Sequence, residues 1–182
     1  MSATRALSPS FGAEVLNFDP SASQSEASIN AIRALWAEHK LLLFRNQQFD
    51  EAALVQFSKE FGALEIHVRE EYLSREHPEI LYVSNIEREG RRIGILADTE
   101  VGWHYDQIYL PKPAVGSLLM ADILPPEGGN TEFADMCAAF DAPSSGVVGK
   151  DVGNAIGLKT GINVGCDLGQ GLAGCGVLID FT

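Results

Sequence analysis

The feature that most constrains the fold is a short apolar run, Leu41 to Phe44, that follows one amphipathic segment and precedes another. Charged residues bound the run on both sides, and it is too short for a helix. A continuous apolar run of this length is typical of a buried strand. The sequence therefore predicts a buried strand at this point, with helical segments before and after it.

The two flanking segments carry helical patterns. Residues 25–39 place their large apolar side chains on one face at helical spacing, and Ser25 is positioned to cap the start. A second helix is predicted from Glu51, with Asp50 as its cap and Gly62 as its end.

Further along, short segments rich in aliphatic and aromatic residues alternate with turns that contain glycine, proline or charge. These predicted strands are residues 79–86, 103–110, 116–124 and 130–136. Helices first and strands afterwards favour an α+β fold in which the strands form an antiparallel sandwich or jelly roll.

The C-terminal segment changes character near Pro143. Glycines recur every four residues from Gly149 to Gly169, and charged residues interrupt any apolar span. Dense glycine destabilises a helix by about 1 kcal/mol at each position relative to alanine. We therefore expect residues 1–143 to form the domain and residues 144–182 to be an atypical, poorly ordered or unrelated tail.

The charge and the N-terminal sequence exclude several classes of protein. A net charge of −12 argues against binding to nucleic acid or to an anionic membrane. No signal-peptide core and no apolar stretch of about 18 residues is found. With only three cysteines, we expect free thiols and a cytoplasmic protein; a homo-oligomer remains open.

His104 and Asp106 stand two residues apart within "GWHYDQIYL". On a strand, residues i and i+2 point to the same face, so the imidazole and the carboxylate would project together. This pair of donors suits iron(II), and a second histidine would complete a two-histidine, one-carboxylate set. The alternative is a hydrogen-bonded His–Asp pair with a structural role, and the spacing alone does not separate the two.

The surrounding residues resemble a known family. "GWHYDQIYLPKPAVGSLLMADILPPEGGNTEFADMCAAFDA" is similar to the core of the taurine dioxygenase (TauD/TfdA) family of iron(II)- and 2-oxoglutarate-dependent oxygenases. The resemblance extends back through "HKLLLFRNQQFDEAALVQFSKEFGALEIH" to "FGAEVLNFD", covering most of the chain from Phe11 to Ala142.

This resemblance implies a double-stranded β-helix with N-terminal helices and a particular set of site residues. His104 and Asp106 match two iron ligands, and Thr131 matches the threonine that binds the 2-oxoglutarate carboxylate. His67 and Asn85 match positions near the primary substrate. The implied reaction consumes O2 and 2-oxoglutarate, hydroxylates a small organic acid, and releases succinate and CO2.

The sequence also departs from the family. No histidine follows His104, and the last arginine is Arg92, so the family's distal histidine and arginine have no counterpart downstream. We therefore expect a truncated or frame-shifted member whose catalytic competence is open. Two alternatives are a non-catalytic remnant or binding module of the family, and a zinc hydrolase that uses His104, Asp106 and His67.

Overall fold

The computed structural model describes residues 3–47, 49–96, 104, 106, 111, 114–123, 126–127, 131–141, 162–164 and 175–179. The helices are α1 (Glu26–His39), α2 (Glu51–Lys59) and α3 (Met136–Asp141), with one 3-10 turn at Glu70–Tyr72. The strands are β1 (Ala3–Ala6), β2 (Ala13–Leu16), β3 (Leu41–Phe44), β4 (Glu87–Arg88), β5 (Arg91–Arg92), β6 (Gly116–Met120), β7 (Phe133–Asp135), β8 (Ile162–Val164) and β9 (Cys175–Ile179).

Both N-terminal helices begin where the sequence predicts. The Ser25 side chain accepts a hydrogen bond from the Ser28 amide at the start of α1, and Asp50 accepts one from the Ala53 amide at the start of α2. Each cap satisfies an amide that the helix itself leaves unpaired. The second helix ends at Lys59, slightly before the predicted end at Gly62.

The predicted strand β3 is the buried centre of the first sheet. All four of its residues are buried, and α1 places Ile29, Ile32 and Trp36 in the same core. Burial of Phe44 and Leu42 is complete. The apolar run therefore forms the strand that its composition predicts.

The first sheet has five strands in the order β1-β2-β3-β9-β6. Only the β1–β2 pair is antiparallel, whereas β3 pairs in parallel with β2 and β9, and β6 pairs in parallel with β9. The expectation of antiparallel pairing is thus wrong for this sheet. Two further two-stranded sheets pair β4 with β5 and β7 with β8.

The mixture of helices and sheets agrees with an α+β class, and the jelly roll stays a prediction. The strand expected at 116–124 is found as β6, and that at 130–136 as the shorter β7. In place of a strand at 79–86, the chain makes an isolated bridge between Leu73 and Leu81. The boundary near residue 143 stays a prediction, and most of the tail lies outside the described residues.

The chain divides into two compact units. The first contains the described residues of Met1–Asp19, Gln24–Gln47 and Val101–Thr182, and the second contains those of Pro20–Ser23 and Gln48–Glu100. In the second unit, α2 buries Leu54, Val55 and Phe57.

Two further findings concern the sequence predictions on cysteines and membranes. Cys137, in α3, is disulfide-bonded, so the expectation of free thiols is wrong for this residue. Among the residues described, every helix is too short or too polar to cross a membrane.

Candidate functional site

His104 and Asp106 are brought together in the first unit. His104 forms an isolated β-bridge and Asp106 lies in a turn, while most of the predicted strand at 103–110 lies outside the described residues. The His104 Nε2 atom is 3.3 Å from the Asp106 Oδ1 atom, and the two side chains are 40% and 50% exposed. Their proximity therefore does not depend on both residues occupying one regular strand.

The distance between the two side chains is close to that between two neighbouring ligands of one metal ion. Metal–nitrogen and metal–oxygen bonds of about 2.0–2.2 Å place ligands at adjacent octahedral corners about 2.8–3.1 Å apart. The observed 3.3 Å separation is close to this range, and both side chains are partly exposed. This distance suits two neighbouring metal ligands and equally suits a hydrogen-bonded His–Asp pair, so the role of the pair as metal ligands stays a prediction.

A third protein ligand is not found within the described part of the chain. No group of three or more histidine, cysteine, aspartate or glutamate side chains in that part is placed to hold a metal ion. His67 belongs to the second unit, and the three-ligand zinc site stays a prediction. What the structure provides is a two-ligand arrangement.

Ser117 adds a contact that the sequence did not predict. Its Oγ atom donates a hydrogen bond of 3.3 Å to Asp106 Oδ2, the carboxylate oxygen that is not the one paired with His104. Ser117 is the second residue of β6, within a segment predicted as a strand, and nothing in its local pattern distinguishes it from a structural serine.

Thr131 is exposed and lies two residues before β7. The end of that strand is well anchored: Asp135 Oδ1 accepts hydrogen bonds from the amides of Cys137 and Ala138. The Asp135 carboxylate also lies 3.5 Å from the Lys40 ammonium group. Most of the "PPEGGN" turn before Thr131 lies outside the described residues, so its predicted approach to the metal pair stays a prediction.

The two predicted substrate residues lie in the second unit. His67 is half-buried, and its Nδ1 atom accepts a hydrogen bond of 3.1 Å from the Arg69 amide. In a neutral imidazole this leaves the proton on Nε2, which makes that atom a donor. Asn85 is exposed. The roles of both residues stay predictions.

A carboxylate network in the second unit was also missed from the sequence. The two oxygens of Glu51 accept hydrogen bonds from Ser74 Oγ (2.6 Å) and Tyr82 Oη (2.5 Å). These bonds hold the pKa of Glu51 below its ordinary value of 4.5, and the bond from Ser74 has a larger effect than the bond from Tyr82. The bond to Glu51 raises the pKa of Tyr82. Since Ser74 and Tyr82 are far from Glu51 in sequence, no local pattern points to the network.

Comparison with known proteins agrees with the residue-level resemblance. The chain is 32% identical over 145 residues to alpha-ketoglutarate-dependent 2,4-dichlorophenoxyacetate dioxygenase from Cupriavidus pinatubonensis, covering 75% of this chain and 50% of that protein. It is 31% identical over 145 residues to (S)-phenoxypropionate/alpha-ketoglutarate-dioxygenase from Sphingobium herbicidovorans, covering 75% of this chain and 46% of that protein. The chain thus spans about half the length of these relatives.

A shorter likeness carries a different name. Over 68 residues, the chain is 40% identical to 4-hydroxy-tetrahydrodipicolinate reductase from Cupriavidus taiwanensis. The matching segment covers 37% of this chain and 24% of that protein. This match covers a minority of the chain and shows no second family.

A family model also matches most of the chain. Residues 3–145, which include all five predicted site residues, match the model described as Taurine catabolism dioxygenase TauD, TfdA family. The chain therefore belongs to the TauD/TfdA dioxygenase family.

Proposed function

We propose that the chain contributes the iron-binding part of a 2-oxoglutarate-dependent dioxygenase that hydroxylates a small organic acid. The observation that carries this proposal is the 3.3 Å approach of His104 Nε2 to Asp106 Oδ1 within the region that matches the family. When bound, iron(II) supplies the oxidative chemistry, in which 2-oxoglutarate and O2 become succinate and CO2 as the substrate is hydroxylated.

Each residue then has a defined task at the site. His104 Nε2 and Asp106 Oδ1 would hold the metal, and their side chains are 40% and 50% exposed. The Thr131 hydroxyl donates a hydrogen bond to a carboxylate of 2-oxoglutarate. These three groups bind and orient the cosubstrate and transfer no proton themselves.

The substrate class in this proposal is a small organic acid. His67 in its neutral form presents Nε2–H because the Arg69 amide occupies its Nδ1 atom, and this donor suits the carboxylate of a small organic acid. Asn85 is the second residue that we assign to the substrate. Both dioxygenase relatives are named for aryloxy acids, which supports this class. With a net charge of −12, nucleic acid and anionic membrane are not partners in this proposal, and its setting is the cytoplasm.

The test is an anaerobic titration of the purified chain with iron(II) and 2-oxoglutarate, monitored by the weak visible charge-transfer band of the chelate. We expect the band in the wild-type chain and its loss in His104→Ala and Asp106→Ala. His39→Ala is the matched control, because His39 ends α1 and is not part of the pair. Absence of the band from folded wild-type protein, or its persistence in both site variants, would refute the proposal.

A further inference from the structure

The two carboxylate oxygens of Asp106 have different partners. Oδ1 lies 3.3 Å from His104 Nε2, whereas Oδ2 accepts a hydrogen bond of 3.3 Å from Ser117 Oγ. The side of the carboxylate that faces the imidazole is therefore distinct from the side that faces β6.

The partner on the second side belongs to a regular element. Ser117 is half-buried in β6, which pairs along its whole length with β9 in the five-stranded sheet, Ser117 lying opposite Gly176. Asp106, in contrast, lies in a turn and is exposed. A side chain fixed on a paired strand defines the position of a loop residue more closely than the loop itself does.

We propose that Ser117 is a positioning residue that holds Asp106 as a monodentate metal ligand through Oδ1. This inference rests on the proposed function, since it requires a metal at His104 and Asp106. It adds a residue that neither the sequence pattern nor the family motif assigned.

The proposed role of Ser117 depends on the two ways in which a carboxylate can bind a metal. An aspartate can bind a metal through one oxygen or through both, and the second mode occupies a further coordination position. A hydroxyl that donates to Oδ2 stabilises that oxygen away from the metal and fixes the rotation of the carboxylate group. Ser117 would thereby keep Asp106 to a single oxygen ligand when a metal binds.

The experiment measures metal binding without turnover. Co(II) alone is titrated into the full chain, and its dissociation constant and ligand-field absorption spectrum are recorded. Loss of such an outer partner typically weakens metal binding about 10–100-fold. We expect a weakening of this size, with an altered Co(II) spectrum, in Ser117→Ala and in Ser117→Val, because neither side chain can donate a hydrogen bond or bind the metal.

Two further variants separate positioning from a general loss of structure. Ser117→Thr keeps the hydroxyl, so we expect it to retain the wild-type spectrum and a dissociation constant within about threefold of wild type, well short of the loss expected on removing the donor. Ser28→Ala is the matched control, because Ser28 is also half-buried but is not part of the proposed metal site. In the described part of the chain, its hydroxyl contacts the hydroxyl of Ser25. Ser117→Val, which has the shape of threonine without its hydroxyl and suits a strand, covers the case in which Ala at position 117 does not fold.

The outcomes separate a failure of the role of Ser117 from a failure of the proposed metal site. If wild type binds Co(II), His104→Ala and Asp106→Ala do not, and the Ala and Val variants of Ser117 bind like wild type, the role of Ser117 is refuted and the metal site stands. If wild type does not bind Co(II), or the His104 and Asp106 variants bind it normally, both proposals are refuted.

Discussion

The Glu51 network gives the sharpest test of what holds the second unit together. Ser74 is 4% exposed, and its hydroxyl donates to Glu51 and accepts a hydrogen bond of 3.2 Å from the His77 amide. Replacing it with alanine removes one hydrogen bond to a charged group, worth about 1.5–3 kcal/mol, and one neutral bond of about 1 kcal/mol. Because Glu51 is partly solvated, we expect a net loss of about 2 kcal/mol in the free energy of unfolding.

The pH dependence of this loss provides a second, independent measurement. The pKa of Glu51 is lowered by folding, so the stabilisation is fully present above its ordinary value of 4.5 and disappears as the pH falls through the folded-state pKa. The difference in stability between wild type and Ser74→Ala should therefore be largest near neutral pH and shrink below pH 4.5. Urea unfolding followed by circular dichroism at a series of pH values measures both quantities.

A matched control lies in the same unit. The Ser58 hydroxyl, half-buried on α2, donates to the Leu54 carbonyl four residues earlier in its own helix. Because such a bond contributes little and alanine has the higher helix propensity, Ser58→Ala should change stability by less than about 0.5 kcal/mol. If Ser74→Ala were no more destabilising than Ser58→Ala, or if its effect were independent of pH, the argument for the Glu51 network would be wrong.

Two further predictions concern packing. Phe44 is fully buried in β3 and packs against the Phe18 ring, with the ring centroids 5.6 Å apart. We therefore expect Phe44→Ala to lower the free energy of unfolding by about 3–5 kcal/mol, and Phe44→Leu to lower it by less than about 1.5 kcal/mol. Equal losses for the two variants in denaturant unfolding would contradict this packing. At Gly94, an added Cβ would lie 2.4 Å from the Ser84 amide nitrogen and 2.6 Å from its carbonyl oxygen, so Gly94→Ala should cost at least about 1–3 kcal/mol. Unchanged thermal stability of that variant would show that the backbone can separate freely at this contact.

Local patterns predicted the N-terminal elements because short-range interactions determine them. The caps of α1 and α2 involve residues three positions apart, and the burial of β3 follows from an uninterrupted apolar run. The same reasoning failed for strand pairing. The parallel position of β3 between β2 and β9 depends on which segments meet in space, and neither composition nor periodicity specifies that.

At the candidate site, too, the sequence determined some features and the tertiary structure determined others. By itself, the sequence determined the family, through motifs in a fixed order, and it identified His104 and Asp106 as donors whose chemistry suits a metal. Only the tertiary structure decided how Asp106 is held, because Ser117 reaches it from a strand eleven residues away. Likewise, Ser74 and Tyr82 meet Glu51 across separations of 23 and 31 residues. Contacts of this range arise from the packing of whole elements, which is why no local pattern contains them.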